Sequence, residues 1–555
     1  MEILDYITIA VFAAGIMFVG SLFSSTGKNM KSFFAGGGNV PWWISGLSLF
    51  MGFFSAGTFV VWGSIAYSMG FVAVTIQLTM AAAGFAVGLL IAPRWNKTGC
   101  LTAAEYITRR YGASTQKLYT YIFLFISIFT TGSFLYPIAK IIEVAAGIPL
   151  SSSILILGVF CMIYVSLGGL RAVVVTDVLQ FIILFAAVII VIPLAFGEVG
   201  GVPEFLARVP EGFFTLFAGE YNWVFIVAFM LYNLFFLGGN WAYVQRYTSV
   251  RTPRDAKKVG VLFGVLYTFS PILWMLPPMI YRLIDPSLDS IGAEGAYLLM
   301  CREVLPVGLL GLMLGGMVFA TASSLNATLN ISSGVVTNDI FRRLRPASSD
   351  KLLIRVARIS TVLFGLMAIG VALLIPKMGG IVNVVISVAA LTGVPLYLPI
   401  IWSLFSRRQT GTSVITATLS SLGVNALFKF VMPSAGLTLN RAEEMILGVT
   451  FPAVILLSFE CYYRLRKAEA AGYGEYEVWE RKNETERQNE TLTRSSDEDN
   501  AFSRKVIGIG IASTGALITL LGLIAPTGRL LVIGIGLLLI LFGLKIRRHK
   551  AVNKK

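Results

Sequence analysis

The sequence predicts an all-α protein, a bundle of helices that crosses a membrane many times. Three observations carry this. Of 555 residues, 56% are hydrophobic and only 13% are charged, about half the charged share of a soluble chain. Apolar runs of the roughly 20 residues that a bilayer requires recur along the whole chain. Lys and Arg fall in alternate loops between those runs, as they do where positively charged loops stay on the cytoplasmic side.

Fifteen runs are long enough to be spans: near 4–24, 41–69, 71–93, 117–145, 148–167, 174–197, 222–247, 257–283, 307–335, 353–376, 380–405, 410–432, 443–463, 505–523 and 527–546. With the N-terminus outside, the cytoplasmic loops hold Lys28 and Lys31, then Arg94, Lys97, Arg109 and Arg110, then Arg171, then Arg246 to Lys258, and later Arg342, Arg407 and Arg464 with their neighbours. The tail, with Lys545, Arg547 and Arg548, also falls inside. Loops 198–221 and 284–306 carry few basic residues. A missed span would break this alternation. The expectation is a multi-pass protein of a cell (inner) membrane, N-terminus outside and C-terminus cytoplasmic, with the lipid bilayer as its surroundings.

Composition also excludes several classes. The net charge of +15 sits in short loops, so it reports topology and not nucleic-acid binding. Cys100, Cys161, Cys301 and Cys461 are scattered and His549 is the sole histidine, which argues against a His/Cys metal site. No cleavable signal peptide is expected, because the first apolar run lacks a basic flank and an A-x-A-like site. No G-x-x-x-x-G-K-[ST] phosphate loop occurs, so an ATP-driven pump is disfavoured.

The most informative run is Gly311–Asp339. Ala320, Thr321, Ala322, Ser323 and Ser324 follow one another, then Asn326, Thr328 and Asn330. Ala320, Ser323 and Ser324 share one helix face. Small and hydroxyl residues either let two helices pack closely or line an ion or solute pathway. Span two is interrupted by Gly46, Gly52, Ser55, Ala56, Gly57 and Thr58. An unwound turn there frees carbonyls that are costly in hydrocarbon unless a cation takes them up; a Gly-kinked packing helix is the plainer alternative. Span seven repeats the theme with Asn233, Gly238, Gly239, Asn240 and Trp241. The two interrupted spans are five apart, which gives two five-helix halves of opposite polarity, an inverted repeat. Asp177 opens span six as an acid near the membrane boundary, suited to ion handling or simply solvated or paired with Arg171.

Five segments together resemble the sodium:solute symporter family, whose members carry sugars, proline, sialic acid or iodide with sodium: SAGTFVVWGSIAYSMGF (55–71), LTAAEYITRRYG (101–112), GGLRAVVVTDVLQ (168–180), NLFFLGGNWAYVQRYTSVR (233–251) and ATASSLNATLNISSGVVTNDIF (320–341). The resemblance covers about residues 1–465. It implies a LeuT-type 5+5 inverted-repeat fold with spans two to six and seven to eleven as the repeats. The implied layout is a first helix and loop (1–40), repeats at 41–200 and 201–409, two accessory helices (410–466), a polar cytoplasmic linker (467–504), and two C-terminal helices with a basic tail (505–555). The linker lacks an apolar face and is read as partly helical or disordered, a tether or else a regulatory docking segment.

The resemblance also implies a sodium site formed by the carbonyls of Met51, Phe54 and Ala320 and the hydroxyls of Ser323 and Ser324. Neutral oxygens suit a hard cation that must be released. Asp177 and Asn326 fall on an ion-release path or a second sodium site; Ala327 stands where that site would want a hydroxyl, so one sodium per cycle is expected. Substrate contacts carry over to Phe53, Thr58, Gln77, Asn233, Phe236 and Asn240. The implied function is sodium-coupled symport of a small organic solute by alternating access, with a sugar or polyol ahead of a carboxylate, amino acid or small anion. The rivals are a solute-sensing receptor on the same fold, a uniporter and a membrane enzyme. The enzyme lacks a convergent acid–base set, so none is expected, and no protein partner is evident.

Overall fold

The computed structural model describes residues 1–22, 38–100, 102–164, 170–467, 469–470, 472–490 and 495–548. Among them the chain is helical throughout, with one isolated antiparallel bridge between Ala218 and Tyr221. The main helices are α1 (Ile3–Leu22), α2 (Trp42–Met51), α3 (Thr58–Met69), α4 (Val72–Thr98), α5 (Ala103–Ala146), α6 (Leu150–Tyr164), α7 (Leu170–Glu198), α8 (Trp223–Gly239), α9 (Trp241–Thr248), α10 (Pro253–Ile284), α11 (Ala296–Val304), α12 (Leu309–Val335), α13 (Asp350–Leu374), α14 (Ile381–Ser403), α15 (Gly411–Ala435), α16 (Arg441–Leu465), α17 (Tyr473–Glu490), α18 (Ser495–Ile524) and α19 (Arg529–Arg548).

Helix lies within every one of the fifteen predicted runs. Among the described residues, eleven helices are long and apolar enough to cross a membrane, or twelve when α8 and α9 count as one bent span. α2, α3, the Leu150–Val159 part of α6 and the Leu309–Ala322 part of α12 are shorter apolar segments. One expectation is corrected. Residues 103–112, with Arg109 and Arg110, are not loop: α5 begins at Thr102, whose side chain accepts the Glu105 amide (3.1 Å). The turn there comes instead from Gly112, whose φ of 85° interrupts the helix in a region that favours glycine. Within the polar linker, α17 and the start of α18 are helical among the described residues.

Helix starts follow local capping chemistry. Asn222 caps α8 (2.9 Å to the Phe225 amide), and Asn440 with Glu443 forms a capping box on α16. Asp5 of α1, only 2% exposed, accepts the Gly308 and Gly311 amides at 2.7 and 3.1 Å. Its carboxylate thus meets the positive end of α12, which pins the first helix to the ninth predicted span.

The helices sort into two packed groups. α2, α3, α4, α8, α9 and α10 pack on one another, and α5, α6, α12 and α13 form the second group. α7 touches both through α2 and α12. α14 lies against α8, and α18 and α19 form a hairpin whose first helix packs on α7. The cavities lie where the two groups face each other.

Candidate functional site

Span two is broken. After α2 ends at Met51, residues 52–55 form a turn before helix resumes at Ala56 and continues into α3. In a continuous helix the amides of Ser55 and Ala56 would bond the carbonyls of Met51 and Gly52. Here the Ser55 amide donates to the Thr58 hydroxyl (3.4 Å) and the Ala56 amide to the Thr321 hydroxyl of α12 (3.0 Å). The Thr58 hydroxyl in turn donates to the Phe53 carbonyl. Thr321 also donates to Met317 O (2.9 Å), which fixes its hydroxyl. So the unwound turn is held against the Ala320–Ser324 turn of α12, and two backbone amides have been diverted from their helical acceptors.

Span seven is also broken, by a 59° bend between α8 and α9. Asn240 sits in the bend. Its Oδ1 accepts the Ala242 amide (3.0 Å) and its Nδ2 donates to the Tyr397 hydroxyl of α14 (3.1 Å). The carbonyls freed here have protein donors: Leu237 O accepts from Tyr247 Oη (3.0 Å) and Gly238 O from Trp95 Nε1 (2.7 Å).

Two cavities meet beside these breaks. A central one of about 200 Å³ is lined by Phe53, Thr58, Gln77, Asn233 and Phe236, with Thr130, Ser133, Tyr267 and Thr392 among the further residues. Among the described residues no Asp, Glu, Lys or Arg lines it. Asn233 Nδ2 donates to Thr79 Oγ1 (2.8 Å). A second cavity of about 140 Å³ is lined by Ser48, Met51, Asp177, Asn240, Arg246, Ser324 and Thr328 among others. Phe236, Tyr243 and Tyr397 line both, so a layer of rings separates them. Tyr243 packs at a tilt on Phe53 at 4.7 Å and meets Phe236 edge-on at 5.5 Å, and Phe236 meets Tyr397 at 5.7 Å. Gly52 lets the backbone approach the ring layer closely: a Cβ at that position would stand 3.1 Å from the Tyr243 ring.

Five of the six expected substrate contacts therefore line one cavity, and Asn240 lines the other. Of the expected sodium ligands, Met51 and Ser324 line the second cavity. Ala320 is buried on the α12 face beside the break. The Phe54 side chain is fully buried against Phe50 and Trp274 (5.6 and 4.6 Å), so only its backbone faces the turn chemistry. The side chains of Ser323 and Asn326 lie outside the described residues. The Arg171 side chain lies outside the described residues, but Asp177 has partners on two other helices. It meets Arg246 of α9 (3.9 Å) and accepts from the Ser48 hydroxyl (2.5 Å), which also accepts from Arg246 Nε (3.2 Å). This group ties α2, α7 and α9 together.

Sequence reasoning missed Tyr243, Tyr397, Tyr267, Thr130, Ser133 and Thr392. The run Thr130-Thr131-Gly132-Ser133 inside an apolar span was a readable signal of the kind that drew attention to α12. The tyrosines gave none, since an aromatic at helical spacing ordinarily packs a core.

Paired broken helices, set face to face across a polar-lined cavity inside an apolar bundle, define a polytopic membrane transporter. The chain belongs to the sodium:solute symporter family, whose sequence model matches residues 33–419. It is 27% identical over 495 residues to a sodium/glucose cotransporter of Vibrio parahaemolyticus, covering 82% of this chain and 90% of that one. It is 25% identical over 437 residues to a sodium/sialic acid symporter of Aliivibrio fischeri, covering 76% and 86%. The fold matches that of a sodium-coupled sialic acid symporter solved in a substrate-bound outward-open state, with a TM-score of 0.69 at 21% identity over 83% of this chain and 98% of that one. The activity that goes with membership is sodium-coupled symport of a small organic solute.

Proposed function

We propose that this chain takes up a neutral, hydroxylated solute of the sugar or polyol class with one sodium ion per cycle. The observation that carries the solute class is the central cavity. Its walls combine aromatic rings with neutral amides and hydroxyls, and no charged side chain among the described residues lines it. Rings pack on the apolar face of a sugar while Gln77, Asn233, Thr58 and Thr130 meet its hydroxyls. A carboxylate or small anion would need a helix N-terminus for its charge. At α9 that end is already capped by Asn240, which favours the neutral solute.

Sodium is placed between the break of span two and α12, on the carbonyls of Met51, Phe54 and Ala320 and the hydroxyls of Ser323 and Ser324. The diverted Ser55 amide supports Met51 as a ligand, because a carbonyl deprived of its helical donor in an apolar bundle needs another positive partner. Asp177 already has Arg246 beside it, which supports a single sodium rather than a second one at that carboxylate. Sodium binding orders the break and with it Phe53 and Thr58 on the solute cavity, so each ligand improves the other's affinity by the same factor.

The second cavity is then the route by which solute and ion leave, and the ring layer of Phe236, Tyr243 and Tyr397 is the barrier between the two compartments. The two repeats lie at 41–200 and 201–409. The chain sits in a cell (inner) membrane with its N-terminus outside. Inward movement of one charge gains about 2.3 kcal/mol per 100 mV of membrane potential.

The test is thermal stability of the purified protein in NaCl against choline chloride, across sugars, polyols, carboxylates and amino acids. A ligand of the native state raises stability by mass action. A shift that requires both sodium and a sugar or polyol is expected; one given by carboxylates instead would overturn the solute class. Ser324→Ala is expected to raise the half-saturating sodium concentration roughly tenfold, the cost of about one hydrogen-bonding ligand. An unchanged value would remove Ser324 from the site.

A further inference from the structure

A helix of the composition of α17, rich in Glu, Arg and Asn, ordinarily lies free in water. Here its first half is seated on the bundle. Tyr473, Tyr476 and Trp479 recur every third residue and share a face. Trp479 covers the guanidinium of Arg109 (5.0 Å), and Tyr473 covers those of Arg110 (4.6 Å) and Arg407 (5.6 Å). Tyr476 is 6% exposed and meets Tyr106 edge-on at 5.8 Å. Glu477 reaches Arg407 at 4.0 Å, and the Ala470 amide donates to the Arg407 carbonyl (3.2 Å).

Arg110 explains why these rings are needed. It is 3% exposed, and its Nη2 donates to the carbonyls of Ser406 and Gln409 at 3.4 and 3.3 Å. Its Nε and Nη1 have no hydrogen-bond partner among the described residues. Three tyrosine rings surround the guanidinium: Tyr111 at 5.0 Å, Tyr473 at 4.6 Å and Tyr476 at 6.0 Å. Two of the three come from α17. Ring faces are what a desolvated guanidinium without a carboxylate has to stabilise it.

From Tyr476 a short line of contacts runs to the broken span seven. Tyr106 meets Trp95 edge-on at 5.1 Å and shares a hydrogen bond with Ser403 of α14 (2.8 Å). Trp95 holds the Gly238 carbonyl just before the bend, and the next residue, Asn96, donates to the carbonyls of Tyr247 and Val250 just beyond α9 (2.9 Å each). The end of α4 therefore grips α9 from both sides, and α17 leans on the residue that backs that grip. α4 and α9 belong to one packing group and α5 to the other. α17 contacts both α4 and α5.

We infer that α17 is an intramolecular clamp. Seated across the ends of α4, α5 and α14, it resists relative movement of the two helix groups and so sets how readily the bend at α9 opens. The clamp lies beyond the region matched to the family, which ends at residue 419. Releasing it favours the form open on the clamp's side and opposes sodium binding from the other side. It does not depend on which side chains hold sodium.

The experiment is hydrogen–deuterium exchange on the full chain in nanodiscs, read at 473–482 and at 236–250 as NaCl replaces choline chloride. In the unmutated protein, protection of both segments is expected to change together with one sodium midpoint. Tyr476→Ala is expected to deprotect 473–482, speed exchange at 236–250 and raise the sodium midpoint about fivefold, as loss of an aromatic and cation–π contact would. Tyr476→Phe keeps the ring and is expected to behave as the unmutated chain. Trp479→Ala, at the clamp's rim, gives the same direction with less risk to folding. Deprotection of 473–482 in either alanine variant with no change at 236–250 or in the midpoint would reduce α17 to a tether. Absence of protection at 473–482 in the unmutated chain would overturn the docking itself.

Discussion

Spans two and seven are both broken, and they occupy matching places in the two halves of the chain, yet the breaks are finished in different ways. At span seven the bend is completed by its own surroundings. Asn240 caps α9 with its own side chain, and the freed carbonyls of Leu237 and Gly238 are taken by Tyr247 and Trp95. At span two the amides of Ser55 and Ala56 are turned to hydroxyls, one of them borrowed from α12, and the carbonyls they would have bonded are left to other partners. A break whose polar groups are satisfied by protein needs no ligand to complete it. A break that depends on what is placed against it responds to a ligand. The asymmetry favours the proposed place of the ion at span two, while both spans contribute to the wall of the central cavity.

The two breaks are linked by the buried group of Ser48, Asp177 and Arg246. Removing Arg246 takes a cation from beside a buried carboxylate, which typically costs several kcal/mol. Arg246→Gln is expected to destabilise the protein by about 3 kcal/mol, measured by denaturant or thermal unfolding in detergent. Adding Asp177→Asn should recover most of that loss, because both charges are then gone. If the single variant costs no more than a surface pair, about 1 kcal/mol or less, the breaks are not held together through this group and each must be treated alone.

Thr321→Val separates the breaks more finely. Valine keeps the shape and removes the acceptor for the buried Ala56 amide, a loss of about 2 kcal/mol. Because sodium binding must then order a looser turn, the sodium midpoint should rise roughly tenfold. A stability loss with an unchanged sodium midpoint would mean that the span-two break is as self-sufficient as the other, and the proposed ion site would have to move.

The helical class, the positions of most helices and the existence of both breaks were legible because they depend on local chemistry. Apolar length, Gly and Asn interruptions and basic loops are written in consecutive residues. The serine-rich turn of α12 was legible for the same reason. What escaped was set by contacts far apart in the chain. That Asp177 would meet Arg246 depends on how α7 and α9 cross. That Tyr243 and Tyr397 would form a layer with Phe236 depends on three separate helices. The docking of α17 was hidden by its own composition: its three aromatic anchors are diluted among charged residues, and the surface they meet consists of arginines, which a reading for apolar complementarity passes over.

Asn240 gives the smallest effect and the sharpest contrast. Its role in the structure is a helix cap plus a bond to Tyr397, so Asn240→Ala should cost about 1 kcal/mol in stability, the usual value for a lost cap. The sodium midpoint should stay within about twofold, since no ligand of the span-two break has changed. Asn240→Asp keeps the capping oxygen and loses the donor to Tyr397. It should therefore retain most of the stability while loosening the ring layer, read as faster sodium-independent leak of solute through reconstituted vesicles. Should Asn240→Ala instead abolish sodium dependence, the elbow at span seven would itself be part of the ion site, and the division of labour between the two breaks would fail.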